Sequence, residues 1–239
     1  MINGTLWTLV QRWGVRLTTL IVFVVLGRLL DPTDFGVVAL AGVFVGVLNV
    51  FSDFGLSTYL VQAPSIDQRT KSTVFWCGLI FSVVVAAALV AASAWISALF
   101  QAPDMRVVLM ALAASIVITA FSTTQTALLK RALNFRTIAL RSLVATLTAA
   151  VVAIGLALAG QGVWALVAQS LVFNATSAVV LWTATGWRPD LIFDRGAARH
   201  ALRYGGSVLG VQLVSQVRHR ADALVIGLIL GTTALGYWT

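Results

Sequence analysis

The chain is 239 residues long; 59% are hydrophobic, only 10% are charged, and the formal net charge is +8. Soluble domains carry about a quarter charged residues, so an ordinary water-soluble domain is excluded. A nucleic-acid binder is excluded too, because such proteins gather Lys and Arg on a solvated face among polar residues, whereas these charges lie between long apolar runs. The composition is that of an all-α integral membrane protein.

A hydrocarbon core about 30 Å thick takes roughly 20 apolar residues per helix. Runs of that order predict seven helices, over residues 7–29, 36–61, 74–100, 105–129, 142–160, 163–184 and 204–230. The breaks carry turn chemistry: "DPTD" at Asp31, "QAPSIDQRTK" at Gln62, "QAPD" at Gln101, "GQG" at Gly160 and "GWRPD" at Gly186. No basic residue precedes Arg12 and the first apolar run continues to Leu30, which is not the build of a secretory signal. The first segment is expected to stay in the mature protein.

The first helix contains Arg12 and Arg16, four residues apart and therefore on one face. A central Arg costs about 2.5–3.5 kcal/mol in lipid, against about 0.3–0.6 gained per Leu, Ile, Val or Phe. Either the two guanidiniums face a wet cavity or an acidic partner, or they snorkel to the cytoplasmic headgroups. In the second helix, "FSDFGLS" places Asp53 at about the depth of Arg16, where it either neutralises that Arg or acts as a proton- or cation-sensitive switch. Asn49, one turn earlier, lies on the same face and either lines the same cavity or bridges helices. Cys77 is the only cysteine, which excludes an internal disulfide and any multi-Cys zinc site.

Further along, the basic elbow "LLKRALNFRTIALRS" reads as a surface for anionic headgroups or as a docking site. The last helix holds "QVRHRAD", with Arg218 and Asp222 spaced to pair along the helix, His219 as a polar group, and Arg220 aimed elsewhere as a candidate to meet an anion. Gly42 with Gly46 and Gly206 with Gly210 have the spacing of close helix approach. No phosphate loop, nucleophile arrangement or metal cluster is present in the sequence. Neither catalysis nor a cofactor or metal is expected.

Basic residues give the orientation. Ten of them, Arg69, Lys71, Lys130, Arg131, Arg136, Arg141, Arg188, Arg195, Arg199 and Arg203, fall in the connections on one side, and only Arg28 and Arg106 on the other. The positive-inside rule then puts the N-terminus in the cytoplasm. An internal repeat is also visible: "VLGRLLDPTDFG" from Val25 aligns with "VIGLILGTTALG" from Val225, a shift of 200 residues. Each copy is the outer end of a helix that would open a six-helix unit.

The pieces "GRLLDPTDFGVVAL", "VFSDFGLSTYLVQ", "LLKRALNFRTIAL", "GVWALVAQ", "WRPDL" and "ADALVIGLILGTTALGY" occur in order along nearly the whole chain. Together they resemble the polysaccharide transporter branch of the multidrug/oligosaccharidyl-lipid/polysaccharide exporter superfamily, the Wzx-type oligosaccharide flippases. The resemblance implies two six-helix lobes around a central cavity, here residues 1–203 as an N-terminal lobe and 204–239 as the start of a truncated second one, so that the chain is a fragment. It implies flipping of a polyprenyl-diphosphate-linked oligosaccharide across the bacterial inner membrane by alternating access, for cell-surface polysaccharide biosynthesis. Arg12, Arg16, Arg218 and Arg220 would then bind the diphosphate, with Asp53, Asn49 and Asp222 as gating or coupling groups. The implied partners are the lipid-linked oligosaccharide, membrane lipids and the polysaccharide polymerase or export machinery. The alternatives are a drug or cation extruder on the same fold and a non-transporting membrane assembly subunit.

Overall fold

A computed structural model of the chain describes residues 2–229 and 231–238; the side chains of residues 2–12, 217, 219, 220, 224 and 227 fall outside the description. The described residues form nine helices and no strand: α1 (Ile2–Leu29), α2 (Pro32–Asp53), α3 (Leu56–Gln62), α4 (Gln68–Leu99), α5 (Pro103–Arg131), α6 (Phe135–Leu158), α7 (Val163–Ala184), α8 (Arg195–Ile229) and α9 (Gly231–Trp238). Five of them, α2, α4, α5, α6 and α7, are long and apolar enough to cross a membrane. The protein is an all-α, multi-pass membrane protein.

The helices start and stop where local chemistry dictates. Pro32 and Pro103 open α2 and α5 at the first helical position, where the missing N–H costs nothing. Asp67 and Asn134 cap α4 and α6 by accepting from the backbone N–H of Thr70 and Thr137.

The expected continuous helix over 36–61 is broken. Phe54 and Gly55 both turn left-handed, with φ of 45° and 68°, and separate α2 from α3. Asp53 stabilises the break: its Oδ1 accepts from the Ser57 N–H at 3.1 Å and its Oδ2 from the Ser57 hydroxyl at 2.7 Å. The break lies against α8, where a Cβ built on Gly205 would stand 2.0 Å from the Phe54 carbonyl oxygen. The two backbones touch there because Gly55 and Gly205 have no side chain to hold them apart.

Packing divides into three apolar clusters. The largest joins α2, α4, α5 and α9 through Leu40, Val43, Leu89, Met105, Leu109, Ile116 and Leu235. A second seats α1 on α6 and α7, using Val22 and Leu26 against Ala150, Ala153 and Ala157; small residues let helices approach closely where lipid supplies no hydrophobic drive. The third packs α3 against α4, α5 and the first turns of α8 through Leu56, Leu60, Val74, Ala127, Ala198 and Ala201.

The glycines expected to mediate close approach are not the ones that do. A Cβ on Gly42 or Gly210 would meet nothing within 4 Å, that on Gly46 would meet only the Gln216 side chain, and that on Gly206 the edge of the Phe54 ring. The close contacts use Gly55 and Gly205, and Gly36 and Gly236. Glycine spacing says only that approach is possible; the crossing points decide where it occurs.

The basic connections gather at one end. Arg131 donates to the carbonyls of Leu60, Val61, Ala63 and Pro64. Gln68 donates to the Arg188 carbonyl at 2.8 Å, and Trp76 Nε1 to the Asp190 carbonyl at 2.9 Å. Arg195, Arg199 and Arg203, expected in a loop, are the first turns of α8, which runs unbroken across 203–204.

Candidate functional site

At this basic end α2, α3, α4, α5 and α6 enclose a cavity of about 440 Å³. Its α5 wall follows helical spacing: Thr119, Thr123, Thr126 and Lys130 recur every three or four residues and so share one face. Asn49 and Asp53 reach it from α2, Ser57 from α3, and Arg141 from α6. The lining is rich in hydroxyls, with Ser52, Ser57, Thr58 and Ser122 beside the three threonines of that face.

Each threonine first satisfies itself by donating back along α5: Thr123 to the Thr119 carbonyl at 3.0 Å and Thr126 to the Ser122 carbonyl at 2.8 Å. Their oxygens still have acceptor capacity. Arg141 uses part of it, donating from Nη1 to Thr126 Oγ1 at 3.2 Å, while its Nε is buried with no protein partner. Ser52, on the α2 wall, likewise has a buried hydroxyl without a partner. A buried donor left unmade costs about 1–3 kcal/mol, more when charged, so these groups mark a cavity whose polar capacity is not used up by the protein.

The site residues expected from sequence are dispersed. Arg16 is exposed on the face of α1 that carries Trp13 and Leu20, turned away from the α6 contact, and does not line the cavity. The Arg16–Asp53 pairing is not formed: both Asp53 oxygens are engaged by Ser57, and near Arg16 α1 lies against α6, Gly14 facing Leu143. Arg218 is exposed on α8 and also lines no part of the cavity. Asp222 is exposed, and its Oδ2 accepts from Trp238 Nε1 at 3.2 Å. The side chains of Arg12, His219 and Arg220 lie outside the described residues.

Two cations of the cavity wall, the exposed Lys130 and the half-buried Arg141, belong to the basic elbow that by sequence reads as a headgroup surface or a docking site. The chain turns tightly at Leu133, with φ of 54°, into an α5–α6 hairpin that brings Lys130 and Arg141 to the cavity and Arg131 onto the α3 carbonyls. A signal was present: "STTQT", Ser122–Thr126, is a polar run inside a helix otherwise apolar enough to span.

Membrane-crossing helices around a hydroxyl-lined hollow with cations in its wall define a multi-pass membrane protein with room for a polar ligand between its helices. The chain belongs to the polysaccharide biosynthesis protein family, whose match covers residues 25–239. It is similar to the succinoglycan biosynthesis transport protein ExoT of Rhizobium meliloti, with 26% identity over 98% of this chain and 47% of the relative. It is also similar to the amylovoran biosynthesis protein AmsL of Erwinia amylovora, with 27% identity over 77% of this chain and 48% of the relative. The lipopolysaccharide biosynthesis protein WzxC of Escherichia coli matches at 22% identity over 98% of this chain and 48% of the relative. The chain thus spans about half the length of the curated relatives it matches. No solved structure matches it at a significant level.

Proposed function

We propose that the chain is the N-terminal lobe, residues 1–203, and the start of the second lobe of a flippase that moves a polyprenyl-diphosphate-linked oligosaccharide across the bacterial inner membrane. The observation that carries this reading is the cavity itself: hydroxyls and two cations among membrane-crossing helices, in a chain of the polysaccharide biosynthesis family. A glycan needs many weak hydrogen-bonding partners, and a diphosphate needs cations that replace its hydration.

The N-terminus and the basic end face the cytoplasm in this reading, by the ten-to-two bias of basic residues. Arg16 and Arg218, exposed on α1 and α8, would stand on the wall of a larger hollow completed by a second lobe; Arg12 and Arg220 are proposed with them as diphosphate-binding residues. Alternating access would come from rocking of the lobes, with Asp53, Asn49 and Asp222 as gating or coupling groups. No step requires the chain to break or make a covalent bond, so it is not an enzyme in this reading.

The test is reconstitution. Proteoliposomes holding the complete two-lobe protein and a fluorescent polyprenyl-diphosphate oligosaccharide should show the label becoming accessible to a membrane-impermeant quencher faster than protein-free vesicles. A cationic drug moved in place of the glycan lipid would favour an extruder, and no movement of either would overturn the reading. In cells, Arg16→Ala should abolish glycan export with membrane insertion intact.

A further inference from the structure

We infer that residues 187–203, the connection from α7 into α8, form a lipid-anchoring surface. Leu191, Ile192 and Phe193 enter the acyl-chain region of the adjacent leaflet, and Arg195, Arg199 and Arg203 hold anionic phospholipid headgroups. The surface lies on the flank of the bundle and does not depend on what the cavity carries.

The connection is pinned on both sides of its apolar tip. Trp187 Nε1 donates to Gln68 Oε1, and Gln68 Nε2 to the Arg188 carbonyl, both at 2.8 Å. The Asp190 N–H donates to the Ser72 hydroxyl and the Asp194 N–H to the Thr73 hydroxyl, both at 3.0 Å. These bonds fasten the chain to the first turns of α4 and leave the three residues between Asp190 and Asp194 standing outward, Leu191 91% exposed. None of the three belongs to an apolar cluster of the described residues, and large apolar side chains held in water are costly.

The neighbours set the height of the tip in the bilayer. The membrane-crossing helix α7 ends at Ala184, so the tip follows only a few residues after the apolar slab. Trp76, Trp182 and Trp187 gather there around Phe75, with ring centroids 5.3, 6.2 and 6.0 Å away. Tryptophans concentrate at the headgroup level of membrane proteins.

The charge complements an anionic surface. Arg195, Arg199 and Arg203 recur every four residues and form one exposed stripe, while Ala198 and Ala201 on another face of the same turns are buried against α3, α4 and α5. Among the described residues no hydrogen bond or ion pair engages the three guanidiniums. Asp194 is held as the α8 cap by the N–H groups of Gly196 and Ala197. The α5–α6 elbow, which also reads by sequence as a headgroup surface, turns two of its cations inward instead, Arg131 to the α3 carbonyls and Arg141 to Thr126.

The test places a nitrobenzoxadiazole label at Ile192→Cys, in the complete protein carrying Cys77→Ser and no other cysteine, within nanodiscs that contain spin-labelled phosphatidylglycerol or spin-labelled phosphatidylcholine. Both lipids should quench the label, phosphatidylglycerol more strongly at equal mole fraction, and aqueous iodide should quench it little. Arg195→Gln, Arg199→Gln and Arg203→Gln should each lower the preference for phosphatidylglycerol about fivefold, the loss expected for one basic residue near an anionic surface. Arg106→Gln at the opposite end should leave it unchanged. Circular dichroism and elution profile establish that the variants fold. A label open to iodide and closed to both lipids would overturn the inference and leave the tip as a surface for a protein partner. Equal quenching by the two lipids in wild type, or a preference intact in the folded triple variant, would overturn it as well.

Discussion

Gly36 and Gly236, two hundred residues apart, are mutually exclusive of side chains: a Cβ on Gly36 would lie 1.7 Å from the Thr232 carbonyl oxygen, and one on Gly236 would lie 1.7 Å from the Pro32 carbonyl oxygen. Between them Thr33 Oγ1 and Thr233 Oγ1 are 3.3 Å apart. The contact is reciprocal, since 32 meets 236 and 36 meets 232. This is the pattern of a two-fold related interface, made within one chain by the two copies of its repeat.

Gly36→Ala and Gly236→Ala should each lower the melting temperature of the purified chain, with a loss of about 1–3 kcal/mol or more, because the new methyl group meets backbone that cannot rotate away. Gly42→Ala, at a helical position with open space around it, should be neutral or stabilising by about 1 kcal/mol. Thermal unfolding followed by circular dichroism in one detergent compares all three; equal shifts for Gly36→Ala and Gly42→Ala would contradict the contact.

Cysteines at positions 33 and 233 should cross-link. Thr33→Cys with Thr233→Cys is expected to form an intramolecular disulfide under mild oxidation, visible as a mobility shift reversed by reductant, and neither single variant should. If the lobes rock about this end, the oxidised double variant will also lose export and regain it on reduction.

The break between α2 and α3 should be sensitive at two glycines for different reasons. Gly205→Ala places a methyl group 2.0 Å from the Phe54 carbonyl and forces α8 away. Gly55→Ala adds the cost of a non-glycine residue at φ of 68°, about 1–2 kcal/mol, to a contact 2.9 Å from Gly205. Limited proteolysis near residues 54–56 should accelerate in both, and the Gly205→Ala variant should lose cross-protection from α8 first.

Asp53 and Ser57 should be energetically coupled. Ser57→Ala removes the hydroxyl donor and leaves the backbone one, so it should cost about 1.5–3 kcal/mol, the range for hydrogen bonds to charged groups. Asp53→Ala removes both acceptors. The double variant should cost less than the sum of the singles, a coupling read from a double-mutant cycle; strict additivity would exclude the bond.

Asp67, at the exposed start of α4, gives a pH prediction. The Thr70 hydroxyl, and then its backbone N–H, hold the Asp67 carboxyl below its ordinary value of 3.8. A depressed folded-state value means that the cap contributes stability above about pH 4, and that this is lost as pH falls through the folded-state value. Hydrogen-exchange protection at the α4 N-terminus, taken relative to an unstructured peptide at the same pH, should therefore fall on acidification below about pH 4 in wild type. Asp67→Asn, which has no titrating group, should show a flatter response there.

How much of this was legible beforehand depends on the range of the interaction. The apolar runs located the membrane-crossing helices, because a run that must satisfy its backbone in lipid can be little else than a helix, but not the polar first turns of α4 and α6, which begin at Gln68 and Phe135 ahead of the apolar runs, nor the break at Phe54. The repeat at Val25 and Val225 was visible for the same local reason: Val, Gly, Leu, Thr and Gly recur in register. That its two copies touch was not visible. Arg12 and Arg16 stand out in the sequence because an arginine in an apolar run is costly, whereas Lys130 and Arg141 have the setting of loop residues beside a turn.

Composition and periodicity by themselves determined a helical membrane protein, its turns and the side on which its basic residues lie, since each follows from how a single segment meets water or lipid. Tertiary structure decided which glycines cross, that Asp53 binds Ser57 instead of Arg16, and which cations share the cavity. Those outcomes depend on which helix packs against which, and helices far apart in the chain meet through surfaces whose match no single segment encodes.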